Sequence, residues 1–204
     1  MSPSARRGLL IFAIGALLIV AALVADYAWL GGFSGGDEGG FAGIRIGGPF
    51  TLVDQNGTTR HDSDFRGELM LVYFGYTYCP DACPTALQGM STALDDLGDA
   101  GKAVQPIFIT VDPERDTVQQ MKLYAGNFHP RLVALTGTVE QTTAAARAYR
   151  IYFEKVKGSG SGGNDYTVDH SSFIFLMGRD GRYLTHLPSD ASPDRIASTI
   201  KKYL

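Results

Sequence analysis

The chain has 204 residues, 45% of them hydrophobic and 19% charged, which suits one ordinary domain with appendages and excludes a disordered polymer. The net charge is −3; without the first 33 residues, which hold Arg6, Arg7 and Asp26, 16 basic and 20 acidic residues remain. That mildly acidic remainder carries no Lys/Arg run, which argues against nucleic acid as a partner.

Arg6 and Arg7 precede an uncharged run from Gly8 to Ala25. As a helix it would reach about 27 Å, close to the roughly 30 Å hydrocarbon core of a bilayer. Tyr27, Trp29 and Leu30 suit the interfacial belt beyond it, and the arginines should stay in the cytoplasm. A cleaved secretory signal is the competing reading. Cleavage after Ala25 would put Leu23 where a small residue is preferred, so an uncleaved anchor is favoured. Either way the domain lies outside the cytoplasm. Without an Arg/Ser-rich, acid-poor leader, the expected place is a bacterial inner membrane with the domain facing the periplasm. The expected division is an anchor over 1–33, a Gly-rich tether over 34–47 (GGDEGG within it) and an ordered domain over 48–204.

The domain opens with PFTLVDQNGTTR, whose two short apolar runs around Asn56-Gly57 predict a β-hairpin. Leu69 to Tyr76 is almost continuously apolar, as in a strand buried on both faces. Cys79 to Leu97 follows with helical spacing, Leu87, Met90, Leu94 and Leu97 sharing a core face. Pro106 to Val111 is a second buried strand, and Asp116 or Thr117 is the expected cap of a helix running through Tyr124. Leu132 to Leu135 is a third strand and Thr138 to Tyr152 a helix. Lys157 to Asp165 (KGSGSGGND) reads as a flexible loop. Ser172 to Met177 and Tyr183 to Leu187, around Asp180-Gly181, form a closing hairpin. Ser192 caps the last helix, with Pro193 at its first position. Such alternation predicts an α/β fold with a largely parallel sheet, made mixed by the closing hairpin and covered by helices on both faces. A strand feeding a cysteine-bearing helix start is the thioredoxin arrangement.

The two cysteines, Cys79 and Cys83, are four apart in TYCPDACPTAL. A disulfide closing so short a loop would constrain little of the unfolded chain, so the pair reads as chemical rather than structural. If the first helical turn includes both, they share a face, and the helix start lowers the thiol pKa values. Two thiolates suit Cu(I) or a reversible dithiol, and their geometry alone does not choose. His170, in YTVDHSSFIF, tips the balance toward metal: two thiolates and an imidazole accept Cu(I) and Cu(II), whereas zinc would need a fourth ligand. Asp169 either orients the imidazole or caps a turn. The VDPERDT segment is expected to act through local capping rather than partner binding. His129 and His186 receive no role, and Met90 reads as core.

The ordered set YFGYTYCPDACPTAL, QPIFITVDPERDT, LTGT and YTVDHSSFIFLM resembles the SCO/SenC family of copper proteins, from about Gly48 to the C-terminus. The resemblance implies a thioredoxin fold, copper bound by Cys79, Cys83 and His170, and a role in maturing the copper centre of cytochrome c oxidase. The implied partners are the oxidase copper-centre subunit and, beside it, another copper chaperone or a thioredoxin-like reductase. Ala82 stands where the family has an aliphatic residue, which leaves the ligands intact.

A thiol–disulfide oxidoreductase that reduces an apo copper site is the runner-up. It would use Cys79 and Cys83 as its redox pair without need of His170, although such enzymes usually carry a C-x2-C spacing. A peroxidase ranks lower, because the Pro-x3-Thr/Ser-x2-Cys spacing fails at both cysteines. A copper sensor would look identical in sequence.

Overall fold

The computed structural model describes residues 45–157 and 166–204. The expected anchor and all but the last residues of the tether lie outside the described residues, as does the glycine loop beyond Lys157. Among the described residues no helix is long and apolar enough to cross a membrane.

The strands are β1 (Thr51–Asp54), β2 (Thr59–His61), β3 (Leu69–Gly75), β4 (Val104–Thr110), β5 (Val133–Thr136), β6 (Phe153–Lys157), β7 (Tyr166–His170), β8 (Phe173–Met177) and β9 (Tyr183–Pro188). The helices are α1 (Ala82–Leu97), α2 (Val118–Ala125), α3 (Val139–Ala148) and α4 (Pro193–Lys201), with 3-10 turns at Asp62–Phe65 and Gly98–Ala103. Seven strands form one sheet in the order β2-β1-β5-β4-β3-β8-β9, and β6 and β7 pair separately. The fold is the expected thioredoxin-like mixed α/β type.

The sheet is less parallel than alternation implied. Only β3, β4 and β5 run parallel. The N-terminal hairpin joins antiparallel beside β5, and the closing hairpin antiparallel beside β3. Within each hairpin the short connection requires antiparallel pairing, since a parallel return needs a crossover of a dozen residues or more.

β3 lies inside the sheet, between β4 and β8, and is buried at all seven positions. Each apolar side chain sealed there contributes about 1.5–3 kcal/mol. It is therefore a rigid base for whatever its end carries. α1 buries Leu87, Met90, Leu94 and Leu97 as the spacing required, and packs on α4. Thr138 caps α3 through a reciprocal capping box with Gln141. That helix stops at Ala148, short of the expected Tyr152, because Arg150 takes a left-handed φ of 60°. Ser192 caps α4 with Pro193 at its start, as the sequence indicated. Upstream, Ile46 already packs against the core, and Gly47 donates its N–H to the Ala148 carbonyl at 2.9 Å.

Candidate metal centre

β3 ends at Gly75, and the chain turns through Tyr76-Thr77-Tyr78 to Cys79, whose N–H donates to the Tyr76 carbonyl at 3.3 Å. The helix does not include both cysteines. Pro80 has no N–H to give, and Asp81 sits at φ −144°, ψ −63°, outside helical space, so α1 begins only at Ala82. Cys79 therefore belongs to the turn and Cys83 to the first helical turn. They still meet, because the Cys83 N–H donates to Cys79 Sγ at 3.4 Å. Cys83 is fully buried and Cys79 half-buried.

His170 is the last residue of β7, and its Nε2 lies 3.5 Å from Cys83 Sγ. Its Nδ1 lies 3.1 Å from the Ser171 carbonyl oxygen. A carbonyl only accepts, so the Nδ1–H donates to it, which fixes the ring and leaves Nε2 facing the sulfurs. The carbonyl thus takes the orienting role considered for Asp169, which is exposed. The ring is held edge-on against Tyr73 and Tyr76, with centroids 6.3 Å and 6.0 Å away.

The helix start does not acidify both thiols. Cys79 is brought down to about 4, chiefly because the Cys83 thiol hydrogen-bonds to it, with the His170 imidazole and backbone N–H groups helping against burial. Cys83 is pushed up, first by that same bond and then by burial. The pair is a half-exposed thiolate backed by a buried thiol. Among the described residues no group of three or more His, Cys, Asp or Glu is already set around a metal position. The two sulfurs and the imidazole hydrogen-bond one another instead. Their spacing nonetheless suits a shared soft metal. With bonds of about 2.3 Å to thiolate and about 2.1 Å to imidazole, the zinc values, ligands at trigonal angles stand about 3.8 Å apart, near the observed 3.5 Å.

The SCO1/SenC family model matches residues 41–204. The chain belongs to the SCO1/SenC family. It is 40% identical over 158 residues to the SCO2-like protein RP587 of Rickettsia prowazekii, covering 78% of this chain and 77% of the relative. A solved structure of Bradyrhizobium japonicum ScoI with copper bound is 43% identical, with a TM-score of 0.72 over 78% of this chain and 99% of the other. Arabidopsis thaliana ScoI with copper bound is 38% identical, with a TM-score of 0.72 over 78% and 97% of the two chains.

Several residues of this SCO1/SenC site escaped the sequence reading. Tyr73, which the sequence shows only as part of a buried strand, donates its hydroxyl to Cys83 Sγ at 3.8 Å. At Gly75 a Cβ would stand 2.6 Å from Cys83 Sγ, so the close approach of thiol to strand end requires glycine. The strand pair β6–β7, which presents His170, is not among the expected elements: the sequence places a helix up to Tyr152 and a loop from Lys157, with no strand between them or before His170. The available signal lies in β7, where Tyr166 and Val168 alternate with Thr167 and Asp169; Phe153–Lys157 (FEKVK) does not alternate.

VDPERDT does more than cap. Thr117 is the cap of α2, accepting from the Gln120 N–H. Asp116 instead turns inward, fully buried, to accept from the Thr77 backbone and hydroxyl and from the Thr110 hydroxyl. Asp112, also fully buried, pairs with Arg115 and accepts from the Tyr166 hydroxyl at 2.8 Å. One loop thereby holds the turn before Cys79 and the strand before His170.

Proposed function

We propose that this protein is a copper-binding metallochaperone that helps assemble the copper centre of cytochrome c oxidase, with Cys79, Cys83 and His170 as its ligands. The observation that carries this is the approach of Cys83 Sγ and His170 Nε2 to 3.5 Å across 87 residues of sequence, with the Cys79 thiolate beside them. Two sulfurs alone would serve Cu(I); the imidazole adds the nitrogen that Cu(II) favours. Relatives described as ScoI with copper bound support copper as the cargo. Loading needs both cysteines reduced and Cys83 to surrender its proton, so metal entry couples to redox state and to proton release. The N-terminal 33 residues would anchor the domain at a bacterial inner membrane, and the Gly-rich tether would let it reach the oxidase copper-centre subunit in the periplasm.

Thiol–disulfide exchange is the second reading, favoured by the asymmetry of the pair: a half-exposed thiolate in front of a buried thiol is the order of an attacking and a resolving cysteine. His170→Ala separates the two. Copper content of the purified full-length protein and oxidase maturation in cells should both fall, with disulfide reduction in vitro largely kept. Full maturation without bound copper would overturn the metal assignment and put the dithiol enzyme first.

A further inference from the structure

His170 does not sit on the main sheet. Among the described residues β7 pairs only with β6, and that ribbon makes no ladder with the seven-stranded sheet. The C-terminal end of β7 is fixed three residues later by β8, but its other end needs a separate hold. The loop after β4 provides one. Arg115 donates from Nη1 to the Tyr166 carbonyl at 2.9 Å, and its guanidinium lies 3.6 Å from the centroid of the Tyr166 ring. Tyr166 in turn donates its hydroxyl to Asp112, and Lys155 of β6 pairs with Glu114. Both strands of the ribbon are thus tied to one loop.

The same guanidinium also faces the cysteine side. It lies 4.9 Å from the Tyr78 ring, next to Cys79, and 5.7 Å from the Tyr76 ring, which packs edge-on against His170. Its side chain is 16% exposed and salt-bridged to the buried Asp112. Nη2 has no hydrogen-bond acceptor among the described residues, so that edge of the fork has only aromatic faces to lean on.

We infer that Arg115 is a positioning residue for the copper centre, setting the distance between the cysteine turn and His170 without touching metal. The inference rests on the ligand set proposed above. Arg115 clamps Tyr166, four residues before His170 on a paired strand, and braces the tyrosine against which the imidazole stands. Loss of the clamp lets the ribbon shift while both thiolates stay in place. Cu(II), which favours the imidazole, then suffers more than Cu(I).

The test uses full-length protein in detergent, titrated with Cu(II) and Cu(I), with His170→Ala as reference. Arg115→Lys keeps the charge beside Asp112 but loses the planar fork. Cu(II) affinity should fall by about 10- to 100-fold, the range for groups that orient a ligand. The Cu(II) spin-resonance spectrum should move toward that of His170→Ala, amide exchange at Tyr166–His170 should quicken, and Cu(I) affinity should stay near wild type. Wild-type Cu(II) affinity and spectrum in Arg115→Lys, while His170→Ala loses both, would overturn the inference and leave the ligand set standing. Undiminished Cu(II) binding by His170→Ala would overturn the ligand set and the inference together. If Arg115→Lys does not fold, Tyr166→Leu decides on the same readouts. It removes the ring under the guanidinium together with the hydroxyl held by Asp112, and an unchanged Cu(II) spectrum and exchange rate there count against the clamp.

Discussion

Asp116 accepts a hydrogen bond from the backbone N–H of Thr77, 39 residues away, at 3.0 Å. Thr77 stands two residues before Cys79, so a buried carboxylate after β4 fixes the entry to the cysteine turn. The Thr77 and Thr110 hydroxyls also donate to it, each at 2.6 Å. Burial, the largest cause, holds this carboxyl above its ordinary value despite those donors.

A raised folded pKa gives a pH dependence of known sign. The contribution of Asp116 is fully present below the unfolded value of about 3.9 and is lost as pH rises through the folded value. Thr110→Val removes a donor to the ionised form, raises the folded value further and enlarges that loss. Urea unfolding of the metal-free protein should show a destabilisation of about 1–3 kcal/mol near neutral pH and a smaller one near pH 4. Part persists at both, because the Thr110 hydroxyl also accepts the Asp112 N–H at 2.9 Å. A gap independent of pH would remove Asp116 from the account.

The unequal thiols make a second prediction. With Cys79 brought down to about 4 and Cys83 pushed up, iodoacetamide should modify Cys79 alone in the reduced, metal-free protein. The rate should stay flat between about pH 5.5 and pH 7.5, where an ordinary thiol would speed up roughly 100-fold. Peptide mapping reads this directly. A steep rise with pH, or labelling of Cys83 first, contradicts the assigned order.

Gly75→Ala places a methyl group 2.6 Å from Cys83 Sγ, with Phe108 and Tyr73 atoms at 3.1 Å and 3.2 Å. The buried thiol has to give way. Overpacking of this kind costs about 1–3 kcal/mol, and here it also displaces a proposed ligand. Copper affinity should fall in a protein that still folds cooperatively. Wild-type copper binding in the folded variant would show that Cys83 does not need its present position.

The leader is tested by topology. If Arg6 and Arg7 hold an uncleaved helix in the inner membrane, protease added to intact spheroplasts should digest the domain, and the isolated protein should retain residues 1–33. A mature chain starting near Asp26 would establish cleavage instead.

Local signals were legible because they act within a few residues. The hairpin at Asn56-Gly57, the apolar runs of β3 and β4, and the caps at Thr117 and Ser192 each depend on neighbours along the chain. The ribbon β6–β7 was not legible, because its pairing joins Phe153 to His170 across a glycine-rich stretch that reads as loop. Nor was the parallel content of the sheet, since alternation gives the order of elements but not which edges the two hairpins join.

The amino-acid sequence by itself singled out Cys79, Cys83 and His170 as the candidates for soft-metal chemistry, and showed that a buried strand delivers the cysteines to a helix start. Only the tertiary structure decided which thiol is ionised. Proton placement depends on one sulfur lying deeper than the other and donating to it, a matter of burial that spacing does not encode. It also decided what VDPERDT is for: Asp116 and Arg115 act on partners 39 and 51 residues away, and such contacts exist only once the loop is folded between the cysteine turn and the histidine strand.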